Sequence, residues 1–332
     1  KSYGQGRINP AYFYGIFDPN DMRRDVSITM TGSNGKGVEK LIPFVPNSKA
    51  EGGGLTLNKW DENRQANPWV AAQRKSGING PYMRMSEVYL GYAEVCAALG
   101  DVVTGKQYLK TVRERSFPQG LADTDGFIAS FGNDLVRAII EERGFEYAGE
   151  GDRRWTLIRS GYLPEDIKRI KDMTKAMMDG LATKGYYEFE NGNIISAYIW
   201  TKLVDAKTIY GHRLTAQCPM DKVNDPVLYP GWRGQKDNWE EMGLNYGNSA
   251  PATNLAIKGL FEIVSEEEAA SLESQGYAKV NWGIDLVDYR DEYDKYLFWD
   301  YDYVSAPIYL WPFTPNVMAA GGFTNGYGFK QE

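Results

Sequence analysis

From residue 82 to residue 101 the chain reads "YMRMSEVYLGYAEVCAALGD", with Met85, Val88, Tyr89, Tyr92, Cys96 and Leu99 three and four positions apart. That period marks an amphipathic α-helix with those six side chains as its buried stripe. Gly91, Ala93, Ala97 and Ala98 keep other parts of its surface thin, so a neighbouring helix can come close. Gly100 ends the pattern, and a second helix is expected from Lys106 to Arg115. A third begins at Thr124, a good N-cap, and is expected to run unbroken through "GFIASFGNDLVRAIIEERGFEYAG" with Leu135, Ile139 and Ile140 as its stripe. A fourth follows Pro164 and carries Ile167, Ile170, Met173 and Met177 on one face.

Elsewhere the pattern weakens. Residues 1–80 hold five prolines and the triple glycine at 52–54, so short strands such as "KLIPFV" are the most that is expected there. From Gly185 to Pro307 the chain reads as Tyr- and Trp-bearing loops with one short helix, Glu266 to Ser274. The expected organisation is therefore a loop-rich, ligand-facing segment (1–80), a helical scaffold (81–180) and a second loop-rich segment (181–332). The fold class is mainly α with a few short strands. The first two helices, joined at Gly100-Asp101, are similar to one tetratricopeptide helix pair. One pair cannot form a stable solenoid alone.

Composition narrows the chemistry. The 332 residues include 37 basic and 44 acidic side chains, a net charge of −7 that argues against a general nucleic-acid binder. The cluster Lys168, Arg169, Lys171 and Lys175 has helical spacing and reads as a solvated face. Two cysteines, Cys96 and Cys218, are too few for a disulfide framework, and Cys96 reads as a buried small hydrophobe. A single histidine, His212, leaves no material for His-based triads or His-rich zinc sites. No apolar run is long enough to span a membrane. Aromatics, by contrast, make up 14% of the chain.

The most charged stretch, "EERGFEYAGEGDRRWTLIRSG" at 141–161, poses a choice between an active site and a scaffold. A catalytic acid must be held protonated, usually by burial away from cations. Here every acid lies within a few residues of an arginine, which pulls a carboxyl pKa down. Glu142 and Glu146 sit one helical turn apart with Arg143 beside them, and Gly149 and Gly151 would let Glu150 turn back toward Arg153 or Arg159. The reading is a salt-bridged corner and no catalytic residue.

The same stretch resembles the signature of the SusD/RagB family. Glu142, Arg143, Glu146, Ala148, Glu150, Gly151, Arg153, Trp155, Leu157, Arg159 and Gly161 match it position by position, while Asp152, Arg154 and Thr156 depart from it. "IFDPNDMRRDVSIT" is similar to the family's Asp-x-Arg element, the helix at 82–101 to its Tyr-Ala-Glu helix, and Pro312, Asn325, Gly326 and Tyr327 to its closing motif. The resemblance implies a non-catalytic, surface-facing outer-membrane lipoprotein. Such a protein binds a glycan and forms the lid of a SusC-type TonB-dependent barrel, with tetratricopeptide-type helix pairs as its scaffold. It implies no cofactor, and membrane contact only through a lipid anchor. Because the family's lipoprotein signal and first helices are not in this sequence, the chain is expected to be the C-terminal portion of such a protein.

Sugar rings stack their C–H faces on Trp and Tyr, and polar side chains bond the hydroxyls. The first candidate site lies in "LNKWDENRQANPWVAAQRKSG", where Trp60 and Trp69 stand among Asn58, Arg64 and Asn67; the competing reading packs one or both rings under the loop. The second is "PGWRGQKDNWEEMGLNYG", with Trp232 and Trp239, against ordinary loop packing. Trp155, Trp200 and Trp311 read as core. The acidic run Asp285, Asp288, Asp291, Asp294, Asp300 and Asp302 could hold calcium through hard oxygen ligands, but it lacks the glycine and terminal glutamate of an EF-hand loop and reads rather as strands with acidic outer faces. A glycoside hydrolase with a Glu/Asp pair and a tetratricopeptide protein-interaction scaffold remain the alternatives.

Overall fold

The structure, a computed structural model, describes residues 8–33, 39–42, 44, 54–57, 59, 80–118, 120–205, 253–291, 302, 304–305, 309 and 315–322. Its centre is helical. Helices α1 (Pro10–Gly15) and α2 (Met22–Ser27) precede four strand segments, β1 (Ile28–Thr29), β2 (Thr31–Ser33), β3 (Glu39–Leu41) and β4 (Thr56–Leu57). Then come α3 (Met85–Ala98), α4 (Val102–Glu114), α5 (Thr124–Ala129), α6 (Leu135–Glu146), α7 (Asp152–Ser160) and α8 (Leu163–Lys184).

Helix α3 turns into α4 through Gly100, whose φ of 89° suits only glycine, and Asp101 then caps α4 by accepting from the Thr104 N–H at 3.1 Å. The pair packs closely: a Cβ on Gly105 would stand 3.0 Å from the Ala93 carbonyl oxygen. That close approach decides which face of α3 is buried. Ser86, Leu90, Ala93 and Cys96 face inward, whereas Met85 (60% exposed), Val88, Tyr92 and Leu99 (82%) face outward. The expected stripe is thus largely the wrong one: of its six residues only Cys96 is buried, and Tyr89 is half-buried against the same core. Apolar residues lie on nearly every side of α3, so periodicity offers no single answer, and the small face wins because only it fits against Gly105.

The expected third helix is two. Gly132 (φ 65°) and Asn133 (φ 66°) break it, and Asp134 starts α6 by accepting from the Arg137 N–H at 3.0 Å. Asp123, not Thr124, caps α5. Helix α6 is the pivot of the molecule, buried along its length except at Val136. Gly151 and Gly161, both at positive φ, bound α7, and Gly185 ends α8. On α7 the buried residues are Thr156 and Leu157, so Trp155 is 58% exposed, contrary to the core expectation. Arg169 on α8 is drawn into ion pairs with Glu141 and Asp166, so the basic face there is only partly solvated.

The second half holds more regular structure than its pattern suggests. Strands β5 (Tyr186–Glu188) and β6 (Ile194–Ser196) form a hairpin. The central strand β7 (Tyr198–Asp205) pairs antiparallel with both β8 (Thr253–Lys258) and β9 (Ala278–Asn281), putting Thr201 opposite Ile257 and Ala278. Helix α9 (Glu266–Ser274) falls where the sequence places it, Trp200 is buried, and a short α11 (Pro315–Gly321) follows later in the chain. Asp285 and Asp288 lie on helix α10 (Gly283–Asp288), not on a strand. Among the described residues no three His, Cys, Asp or Glu side chains converge on a possible ion position; Asp294 and Asp300 lie outside them.

The largest apolar cluster knits distant parts of the chain. Phe13, Tyr14 and Phe17 of the α1 segment are fully buried among Phe189, Leu260 and Trp282. The Tyr14 hydroxyl donates to the Leu260 carbonyl (3.1 Å) and accepts from the Trp282 indole N–H (2.9 Å). The amides of Asn191 and Asn193 donate to the Tyr14 carbonyl at 2.8 and 2.7 Å. These bonds fasten the end of α1 to the β5–β6 turn.

Candidate functional site

Four acids of α6 and its exit, Glu141, Glu142, Glu146 and Glu150, fan out to cations from six other segments. Glu142 is fully buried and accepts from Arg23 Nη1 at 2.6 Å and Arg113 Nη1 at 3.0 Å. One turn later Glu146 accepts from Arg84 (2.7 Å), Arg23 (3.2 Å) and Arg115. On the other side of the helix, Glu141 meets Arg137 (3.0 Å), Arg153 (3.0 Å) and Arg169 (3.2 Å), while Arg153 and Arg169 also share Asp166. Arg143 pairs with Asp152 at 2.5 Å and lies 5.0 Å from the Tyr147 ring centre.

The pairing differs from the local one the sequence suggests. Glu150 turns not to Arg153 or Arg159 but to Arg84 (2.8 Å) and Lys59, and Arg159 instead grips Glu94 at 2.5 Å. Sequence reasoning missed Arg23, Lys59, Arg84 and Arg113 as partners. The doubled arginine of "MRRD" was the one available signal.

Such a corner is badly suited to proton transfer. Burial pushes the Glu146 pKa up, but hydrogen bonds from Arg115 and Arg84 and the charge of Arg23 outweigh it and bring it down to about 2. Burial likewise raises Asp166, and Arg153 and Arg169 overcome it, leaving the group below its ordinary range. A carboxylate so held carries no proton to donate near neutrality. It does couple folding to pH. Because the folded pKa of Glu146 lies below its ordinary 4.5, its stabilisation is complete above that value and is lost as pH falls towards about 2. Acid unfolding is therefore expected to set in below about pH 4.5. A Glu146→Gln variant should be less stable at neutrality and show a flatter pH dependence by circular dichroism; an unchanged slope would remove this group from the account.

The corner does a second thing. Lys59 donates to the Glu146 carbonyl at 2.6 Å besides pairing with Glu150, and Arg84 donates to that carbonyl at 3.0 Å besides gripping both acids. Residues 59 and 84 bracket the stretch that carries Trp60, Arg64, Asn67 and Trp69, so both ends of that stretch are tied to the end of α6. The candidate residues Asn58, Trp60, Arg64, Asn67, Trp69, Trp232 and Trp239 themselves, and Trp311, lie outside the described residues.

The arginine–glutamate frame has the residues of the signature described above, and a family model settles its kinship. The SusD family model matches residues 1–314. The chain belongs to the SusD family. A SusD-like protein, P25, from Formosa agariphila is 28% identical over 160 residues, 48% of this chain and 26% of that protein. A crystal structure of a SusD superfamily protein from Bacteroides vulgatus aligns at 20% identity and a TM-score of 0.34, covering 51% of this chain and 36% of that one. Matches to this SusD-family chain thus span about a quarter to a third of those relatives' lengths. No helix among the described residues is long and apolar enough to cross a membrane.

Proposed function

We propose that this SusD-family chain binds a glycan at the bacterial cell surface without chemically altering it. It would act as the lid of a SusC-type TonB-dependent barrel in nutrient uptake, in an outer-membrane lipoprotein. The observation that carries the non-catalytic part is the corner: Glu141, Glu142, Glu146 and Glu150 each face at least two cations. A hydrolase of the common two-carboxylate kind needs one acid kept neutral across an open gap from another. Sugar contact falls in this reading to Trp60 and Trp69 with Asn58, Arg64 and Asn67, and to Trp232 and Trp239. The corner serves them as a clamp at both ends of the first stretch.

Calorimetry and a reducing-end assay on oligosaccharides chosen from a glycan array test this together. Binding without turnover is expected. Trp60→Ala and Trp69→Ala should each weaken binding about tenfold, ~1.4 kcal/mol. Glu150→Gln should weaken it less, through the clamp. Hydrolysis abolished by one Glu→Gln change would overturn the reading in favour of a glycosidase, and absence of any glycan binding would overturn it in favour of a protein scaffold.

A further inference from the structure

A cleft of about 880 Å³ opens between α5 and α8. Its volume lies within the usual span of small-ligand sites. Phe127 of α5 and Phe131 of the turn after it form one wall, edge to face at 5.2 Å. Tyr187 and Phe189 of β5 and its turn, also edge to face at 4.8 Å, form another, and Met173 of α8 lies between. These walls offer flat apolar faces of the kind that C–H surfaces of sugar rings stack on.

The polar groups choose among ligands. Arg113 lines the cleft, is only 3% exposed, and lies 3.9 Å from the Phe127 ring centre. Its Nη1 is taken by Glu142, but its Nε–H has no partner, and a buried donor left unpaired is costly. The Arg169 Nε–H, also on the lining, is unpartnered as well. Six carboxylates line the space, at Asp18, Asp123, Glu141, Glu165, Asp172 and Glu190, against three cations. Each cation is already committed: Arg113 to Glu142, Lys168 to Asp172, and Arg169 to Glu141 and Asp166. Among the described residues each of these cations is thus paired, whereas Glu190, exposed at the β5–β6 turn, has no ion pair with any of them.

We propose that this cleft, lined by residues other than the tryptophan candidates, is a second saccharide site that takes neutral or amine-bearing sugar units and rejects carboxylated ones. It rests on the glycan reading above and extends it to the helical scaffold. Ring faces would lie on Phe127 and Phe131, and hydroxyls or an ammonium group would face Glu190 and Asp18.

Saturation-transfer NMR and calorimetry with maltotriose, a glucosamine trisaccharide and trigalacturonate provide the test. The variants are Ser130→Trp, which fills the cleft from an exposed position, and Glu190→Lys, which reverses its free charge. Both sites are exposed, and matching melting curves would show the fold intact. The glucosamine trisaccharide or maltotriose should bind the wild type at least tenfold tighter than trigalacturonate. Ser130→Trp should weaken that binding tenfold or more, and Glu190→Lys should weaken the amine-bearing probe more than the neutral one. A Trp60→Ala/Trp69→Ala variant should lose only the contribution of the tryptophan stretch, and the probe binding it keeps should be the part that Ser130→Trp removes. Binding lost in the tryptophan variant yet untouched by Ser130→Trp would overturn the cleft site while leaving the glycan reading standing. Absence of binding by every saccharide on a wide array would sink both.

Discussion

Replacing Glu142 with alanine is expected to destabilise the protein by about 3–5 kcal/mol, because it strands a buried cation. Arg23 would survive the loss, since it also forks onto Asp21 at 2.7 Å and reaches Glu146 at 3.2 Å. Arg113 would not. It is 3% exposed, is stacked on Phe117 and Phe127, and Glu142 is its acceptor on the helix it faces. Urea unfolding monitored by tryptophan fluorescence would read the loss as a lower midpoint at similar slope. A paired Arg113→Met/Glu142→Leu change should recover most of it, since apolar replacement of both partners removes two desolvated charges at once. A loss under about 1 kcal/mol in the single variant would mean that water reaches Arg113 and the corner is not dry.

The second large effect is expected at Trp282. Its ring is fully buried and lies 4.2 Å from that of Phe44, and its N–H donates to Tyr14, whose own hydroxyl goes on to Leu260. Trp282→Ala should cost about 3–5 kcal/mol through the cavity and lost contacts. Trp282→Phe should cost less, because it keeps a ring but gives up the hydrogen bond. Combining it with Tyr14→Phe separates the two parts: a coupling of about 1 kcal/mol is expected for the bond, and strict additivity would show that Trp282 acts by volume alone.

What the sequence allowed a reader to see depended on how local the deciding contact was. The charged corner was legible as scaffold because acids and arginines crowd one helix end. Its partners were not, since Lys59 and Arg84 reach Glu150 from 91 and 66 positions away, and no periodicity encodes that. Helix α9 was legible from its polar-apolar pattern, with Ser265 as cap. The break at Gly132-Asn133-Asp134 was also readable, as two turn formers followed by a capping acid, but the apolar stripe on either side hid it. The buried face of α3 was decided by a glycine on the neighbouring helix, which hydrophobicity does not register. Strands β7 and β8 pair across 47 intervening residues, so neither looks like half of a hairpin. For the glycan site itself, composition and a family pattern point to the tryptophans, while the cleft between α5 and α8 joins six short pieces of chain and has no linear signature at all.

The bond between Tyr14 and Trp282 spans 268 positions. At ordinary translation speeds of roughly 5–20 residues per second, the front of the chain waits on the order of tens of seconds for its partner to be made. Phe145 and Phe189 give Phe17 and Tyr14 earlier partners, but through that interval the cluster stays open on the side that Trp282 covers. The molecule therefore becomes protease-resistant only when its last third emerges, and a ribosome stalled before residue 282 would hold a sticky, digestible nascent chain.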